Sequence, residues 1–429
     1  MCFGWARLLP VYSSRLHKAG QIRKGLSEEI IGEWEMAVAT KVAVVSIKVS
    51  DLRDALANGM LVDQRTLIPV HSCSKLDVVG GKATLTSCDT EKTIKVSFDA
   101  TGPDMSCLMP RRRALKFLSG GDSAVMVEPT SKGVILTREG LGKVSLTASG
   151  KIEDFPKNEV PSGLKWAKLD AKWFLKMLRH ALICVATDES WPVLTAVMCE
   201  EGKMAAADGF RLAVVTSDKL KFGLGTRLVS QSADKGGGMA EVKNQSLLPR
   251  DIAMVAIRAF AKEESIEFAV GKGPNNFNFN DMILIRGGNT LIMGQAGMGN
   301  YPAIDQLIPQ SFDSRVTFSV PLMLQRINMM DLRDGSGILR LHFHKTDKSE
   351  DVGDLSGRAE EEHEYAMQMP VKLENGKDGR VAFNWKYLME AIKPFSVCTL
   401  DLTSPSSPGK FTGDIKELSY TIMPMFFQW

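Results

Sequence analysis

Cysteine and histidine are scarce in this 429-residue chain, with seven and six copies, and their spacing narrows the chemistry more than their number does. Cys2, Cys73, Cys88, Cys107, Cys184, Cys199 and Cys398 form no CxxC pair. An odd count scattered so widely builds no disulfide framework and fits a reducing cytoplasm. Neither HExxH nor GxxxxGK[ST] occurs, so a zinc-hydrolase helix and a phosphate-cradling loop are both missing. "HFH" sets His342 and His344 on one face of a predicted strand, but no third metal ligand is in view, and an ordinary strand is the simpler reading. No run approaches the roughly 18 apolar residues of a membrane helix. The opening residues are basic and lack an apolar core with a small-residue cleavage site, which argues against a secretory signal. Residues 1–40 are read as an unstructured extension or a misassigned start, with Met36 opening the folded part and a transit-like leader as the alternative.

A strong net charge is missing too. Lys and Arg number 53 against 50 Asp and Glu, a formal +3, so an anionic partner has to be met by a local concentration of basic side chains.

What the chain does have is length for about three domains, 44% apolar residues to give each a core, and one plan followed three times. Each copy opens with an amphipathic helix: "SDLRDALANGM", "LDAKWFLKMLRHALICVA" and "SVPLMLQRINMM", begun by Ser50 or Asp51, Asp170, and Ser319 before Pro321. Strands follow, then a second helix in "CLMPRRRALKFLSG", "SLLPRDIAMVAIRAFAK" and "VAFNWKYLMEAIKPF". Proline suits the first turn of the first two, because its missing N–H would be unpaired there anyway. Alternating strands such as "KVSLTAS", "TLIMGQA" and "ELSYTIM" close each copy, leading to Phe155-Pro156, Tyr301-Pro302 and Met423-Pro424. The pattern places domains at 41–163, 164–314 and 315–429, with residues 219–244 and 345–364 as surface loops.

Basic residues gather on the helices. Lys172, Lys176 and Arg179 form one stripe, opposite an apolar face of Phe174, Leu178, Ala181 and Val185. Arg111, Arg112, Arg113 and Lys116 follow Pro110, and Arg250 and Arg258 lie two turns apart after Pro249. The acids concentrate in residues 347–364, among them Asp351, Asp354, Glu360, Glu361, Glu362 and Glu364. Repeated on equivalent helices, the stripes suit a concave surface running along phosphates, one charge per about 1.7 Å of duplex.

Catalytic signals are weak. "GQAGMGNYP" carries Gly294, Gly297 and Gly299 but leads to Tyr301-Pro302 rather than into a helix, unlike a dinucleotide loop. Asp208 and Arg211 in "AADGFRLAV" read as a turn between strands, reversed at Gly209, more simply than as an acid and an anion hook. The apolar end, "YTIMPMFFQW", reads as a docked edge strand or a surface that another molecule uses.

Ten motifs in order, "RTLIPV", "MPRRRALKFL", "DFPKNE", "ATDESWPVLTAVMCEEG", "AADGFRLAVVTS", "LPRDIA", "GNYPAIDQLIP", "FNWKYLMEAI", "SPSSPG" and "YTIMPM", make residues 44–427 resemble the beta subunits of bacterial DNA polymerase III, the sliding clamps. The resemblance implies an α+β chain of three clamp domains, antiparallel sheets outside and helices lining the inner face of a ring closed by two subunits. It implies a non-enzymatic, cytoplasmic, nucleoid-associated processivity factor with no cofactor and no metal. Its partners would be double-stranded DNA bound without sequence preference, the polymerase III catalytic subunit and other polymerases, a clamp loader, and mismatch-repair and ligase-type proteins.

Carried over by motif, the DNA-facing positions are Arg65, Arg112, Arg250 and Arg258, to which the charge stripe adds Lys172, Lys176 and Arg179. The peptide cleft falls on Leu194, Ala207, Gly209, Phe210, Leu212, Pro302, Leu307, Tyr387, Met423, Pro424 and Met425. The subunit contact falls on Val144, Leu146, Met329 and Met330. Asp188, Trp191, Pro192 and Val193 depart from the polar and aromatic loop of some relatives, and "FFQW" runs past the family's usual stop. These departures keep one rival open, a hub or decoy clamp that retains the cleft without encircling DNA.

Overall fold

The computed structural model describes residues 43–62, 67–224, 226–231, 238–272, 281–332, 337–346, 350–359, 363–375 and 377–427. Residues 1–40, read as an extension, lie outside the described residues. The first copy runs β1 (Val45–Lys48), α1 (Val49–Gly59), β2 (Cys73–Val79), β3 (Lys82–Cys88), β4 (Lys92–Thr101), β5 (Met105–Pro110), α2 (Arg111–Phe117), β6 (Ala124–Thr130), β7 (Gly133–Arg138) and β8 (Gly142–Thr147). The second has β9 (Ala167–Asp170), α3 (Ala171–Leu182), β10 (Ala196–Glu200), β11 (Lys203–Ala207), β12 (Arg211–Thr216), a hairpin of β13 (Thr226–Gln231) and β14 (Gly238–Lys243), then β15 (Gln245–Pro249), α4 (Arg250–Ala259), β16 (Ser265–Lys272), β17 (Asp281–Gly287) and β18 (Thr290–Gln295). The third has β19 (Ser314–Ser319), α5 (Val320–Met329), β20 (Ile338–Lys345), β21 (Asp351–Ala359), β22 (His363–Pro370), the short β23 (Lys372–Leu373), β24 (Gly379–Asn384), α6 (Trp385–Ile392), β25 (Val397–Leu402), β26 (Gly409–Gly413) and β27 (Leu418–Ile422). Leaving aside β13, β14 and β23, the order is the same three times.

The copies join edge to edge. Antiparallel pairing of β4 with β18 carries one sheet from the first copy into the second, in the register Lys92 to Gly294 and Val96 to Thr290. Pairing of β12 with β27 carries another from the second into the third, in the register Arg211 to Ile422 and Val215 to Leu418. Two helices per copy pack on each other and on these sheets. In α3 the side chains at Ala171, Phe174, Leu175, Met177, Leu178 and Ala181 are buried. At about 1.5–3 kcal/mol per large apolar side chain, that face supplies most of the helix's hold on the sheet.

Glycine at the first junction is a packing requirement. A Cβ on Gly294 would lie 2.5 Å from Ile252 Cδ1 and 2.9 Å from the Glu91 carbonyl, and one on Gly297 would lie 2.9 Å from Leu247 Cβ. The glycines of "GQAGMG" thus let α4 and β15 approach a strand.

Several expectations need correction. Asp170 caps α3, its Oδ1 accepting from Trp173 N at 2.7 Å, and Asn384 caps α6 by accepting from Lys386 N at 3.0 Å. Lys48, not Ser50 or Asp51, holds the N-cap position of α1, and neither it nor Ser319 makes a side-chain cap. The stretch 219–244 is no plain loop: Leu220 and Phe222 are buried, Phe222 meets Phe174 and Phe268 edge to face at 6.1 and 5.0 Å, and β13 pairs with β14 beyond. The stretch 345–364 is largely strand. Along β21, Gly353, Leu355 and Gly357 turn inward while Asp354, Ser356 and Arg358 turn outward. Glycine serves there because Phe343 and Leu332 fill the space: a Cβ on Gly357 would lie 2.6 Å from Leu332 Cδ2.

Arg111 also leaves the cationic group. It is 1% exposed and donates from Nη1 to the Cys73 carbonyl at 2.8 Å and from Nη2 to the His71 carbonyl. Arg111→Ala is expected to cost about 2–4 kcal/mol, from carbonyls left unpaired and lost packing, whereas Arg112→Ala on the exposed face should stay within about 0.5 kcal/mol. Denaturant titration of the two variants side by side checks the contrast.

Candidate nucleic-acid and peptide interfaces

The amphipathic helices that bury one face against the sheets leave the other to solvent. On α3 that exposed face holds Lys172, Lys176 and Arg179. The neighbouring His180 reports their field: burial first, then the positive charges of Lys176 and Arg179, hold its pKa below the ordinary histidine value. Arg112, Arg113 and Lys116 are exposed on α2, and on α4 Arg258 is exposed while Arg250 is half-buried. Arg65 lies outside the described residues. Six of the seven proposed DNA-facing positions are therefore described, and all six have solvent access on helices. In the third copy Lys386 and Lys393 are exposed on or just after α6, with Glu390 between them.

A second surface forms where β12 meets β27. Asp208 closes the turn before β12: its Oδ1 accepts from Phe210 N at 3.0 Å and Arg211 N at 2.9 Å, and its Oδ2 accepts from Arg211 Nε at 2.7 Å. Gly209 takes φ +90° at the reversal, a conformation that disfavours any Cβ. Arg211 then reaches the third copy. It pairs with Glu390 and lies over the Tyr387 ring, 4.3 Å from its centroid, while Phe210 stands 6.3 Å from the same ring. Burial opposes the Arg211 charge, but the bonds to Glu390 and Asp208 prevail and hold its pKa above the ordinary value.

These residues wall a cavity of about 680 Å³. Leu194, Gly209, Phe210, Pro302 and Tyr387, five of the expected cleft residues, line it together. Ala207 and Leu212 lie beneath, in a buried cluster with Leu194, Tyr301 and Ile304. Met423 is tied to the rim, its N–H donating to the Phe210 carbonyl at 2.8 Å, and is 45% exposed, as Leu307 is at 52%. Pro424 and Met425 follow it, and Met425 N donates to the Ala382 carbonyl at 2.8 Å. Phe427 leans on Arg340 at 4.9 Å, so the end of the chain runs onto β20 and β24 rather than over the cavity. Gln428 and Trp429 lie outside the described residues.

Trp191, 69% exposed, lines the same cavity with Asp188. Its loop stands out in the sequence, but a contact across from Tyr387 depends on how β12 and β27 pair. The turn expected at Asp208 and Arg211 is there, and Arg211 is also a wall of the cavity. None of this resembles a nucleophilic centre. Cys184 is fully buried, and burial pushes its thiol well above the ordinary range.

Of the expected subunit-contact residues, Val144 is half-buried on β8, an end strand of its sheet, and Met329 is 55% exposed. Leu146 and Met330 are 5% and 4% exposed, so both serve the core of their own chain first.

The cavity's floor depends on one hydroxyl. Tyr301 Oη accepts from the buried Ala207 N at 2.7 Å. Tyr301→Phe should cost about 1–3 kcal/mol by leaving that N–H unpaired, read as a lower denaturation midpoint.

Comparison with known proteins places this geometry. A family model described as "DNA polymerase III beta subunit, C-terminal domain" matches residues 305–426. The beta sliding clamp of a Synechocystis species is 28% identical over 291 residues, 64% of this chain and 68% of that protein. The beta sliding clamp of Streptococcus pneumoniae is 23% identical over 380 residues, 82% of this chain and 89% of that protein. The crystal structure of the DNA polymerase III subunit beta from Pseudomonas aeruginosa superposes with a TM-score of 0.76 at 17% identity, covering 90% of this chain and all of that one. The sliding clamp of Bacillus subtilis superposes equally well, at 0.76 and 16% identity with the same coverage.

Proposed function

Because the chain belongs to the beta-subunit family of DNA polymerase III, the sliding clamps, we propose that it is a processivity factor that encircles duplex DNA and carries polymerases on its cleft. It is not an enzyme. The observation that carries the ring is topological. By position in the repeated order, β4, β12 and β22 are equivalent, and so are β18, β27 and β8. Both junctions join a member of the first set to a member of the second, β4 to β18 and β12 to β27. One member of each remains, β22 on the third copy and β8 on the first, each at the end of its sheet. Pairing β22 of one subunit with β8 of another continues the rule head to tail, and two subunits of three domains, 41–163, 164–314 and 315–429, close it. Val144, Leu146, Met329 and Met330 would border that contact. Open backbone edges on both strands favour such a closure over solvent exposure.

In this ring Arg112, Lys172, Lys176, Arg179, Arg250 and Arg258 face the duplex, and Arg65 is assigned to the same group by its motif alone. Contacts to phosphates read no sequence, so they neutralise charge at every register alike and let the ring slide. Topology supplies the retention, and a separate loader supplies the opening. The cleft takes a short linear peptide from a polymerase catalytic subunit, the loader or a repair protein, with Phe210, Tyr387, Trp191 and Leu194 receiving its apolar anchors. This chemistry belongs in the cytoplasm with the nucleoid; among the described residues no helix is long and apolar enough to cross a membrane.

Loading on nicked circular DNA tests the ring. Protein loaded with a cognate loader should remain through gel filtration and fall off when the circle is linearised; absence of any retention would leave the hub reading. Lys172→Glu with Arg258→Glu should lower retention at least several-fold at physiological salt while the subunit mass by light scattering stays that of the parent. For the cleft, Tyr387→Ala should weaken a polymerase-tail peptide by at least tenfold, about 1.4 kcal/mol, in a fluorescence titration, with the midpoint of unfolding little changed.

A further inference from the structure

The outward face of the third copy's four-stranded sheet carries polar chemistry that neither DNA nor peptide binding uses. On β20, Leu339, Leu341 and Phe343 are fully buried, which turns His342 and His344 to the opposite face. Asp354 on β21 is the direct cross-strand partner of His342, and Gln368 on β22 is the next in that row. The third ligand that the sequence did not disclose is therefore ten residues on, brought in by strand pairing.

The donor groups are close. One nitrogen from each histidine and one Asp354 oxygen all lie within 4.8 Å of one another. The His342 and His344 rings stack at 4.6 Å with 27° between their planes. His344 Nε2 lies 2.8 Å from Asp354 Oδ2 and its Nδ1 lies 3.2 Å from the Lys345 carbonyl. Both partners only accept hydrogen bonds, and a neutral imidazole owns one N–H. One of the two contacts therefore calls for a second proton or a cation. Beside it, the buried Nε2 of His342 has no hydrogen-bond partner.

We propose that His342, His344 and Asp354 bind one zinc ion. Zn–N and Zn–O bonds of about 2.0–2.2 Å put tetrahedral ligands roughly 3.3 Å apart, which here asks the His342 ring to turn toward Asp354 and His344 Nε2 to ease back from its 2.8 Å contact with the carboxylate. The surrounding contacts are those a zinc site uses. With the ion on Nε2, Nδ1–H of His344 would donate to the Lys345 carbonyl, while Gln368 Nε2 donates to Asp354 Oδ1 at 2.8 Å and fixes the carboxylate. Two imidazoles and one carboxylate suit zinc better than magnesium or calcium, which favour all-oxygen sets. A fourth position remains for water. The ion joins β20 to β21 and is independent of the DNA and peptide readings.

The test is a titration of full-length protein, stripped with chelator, with zinc sulfate alone. One equivalent should bind, with at least a tenfold loss of affinity in His344→Ala and in Asp354→Asn and no loss in His363→Ala, a histidine outside the cluster. Binding that is absent, or that the first two variants leave unchanged, overturns the proposal. Cobalt substitution in the unmutated protein gives an independent reading: visible d–d bands without a near-ultraviolet thiolate band support this ligand set, and a thiolate band would move the metal to a cysteine and overturn it.

Discussion

Unpaired strand edges govern this molecule. A strand that ends a sheet presents N–H and C=O groups that either meet water or find another strand. Here β4 and β12 solve the problem by pairing with β18 and β27 of the following copy, so each junction is a continuation of a sheet. The same solution sets orientation. Because equivalent edges meet each time, successive copies are related by a repeated step, and a repeated step either closes or runs on as a filament. In the proposed ring, closure at two subunits would turn this edge rule into a device that holds DNA.

Much of this was written locally and could be read from the chain. Asp170 announces α3 because a carboxylate before an amphipathic run can take the free N–H groups of the first turn, and it does so. The repeated order was visible because each helix carries its own apolar period. What stayed hidden was decided by packing between distant segments. Arg111 looks like its neighbours Arg112 and Arg113, and only the approach of the Cys73 and His71 carbonyls, about 40 residues upstream, makes it an interior residue. In β21 the charges masked a period-two strand, since two of its inward positions are glycines chosen for the bulk of Phe343 and Leu332. Asp354 as a neighbour of His342 and His344 required the β20 to β21 register.

Basic charge is concentrated on exposed helix faces. The basic side chains sit on the exposed faces of α2, α3 and α4, while many acids sit on strands, where Asp354 faces His344 and Glu364 meets Arg340. The exposed helix faces thus concentrate basic charge on one nearly neutral chain. Such a concentration needs no large net charge to draw a polyanion to one face.

The cleft follows from the same edge pairing that joins the second copy to the third. Pairing of β12 with β27 places Phe210 and Arg211 beside Tyr387 and Glu390, so the ion pair that spans the junction also shapes the cavity wall. Arg211 is held on one side by Asp208 and on the other by Glu390, which keeps its guanidinium over the Tyr387 ring. An aromatic surface braced in this way would, in the proposed peptide cleft, lower the ordering cost of binding. The chain's end contributes through its path: Met423 bonds to Phe210 and Met425 to Ala382, and Phe427 then settles on Arg340. Each of these contacts draws the residues up to Phe427 along the third copy, away from the pocket between Trp191 and Tyr387.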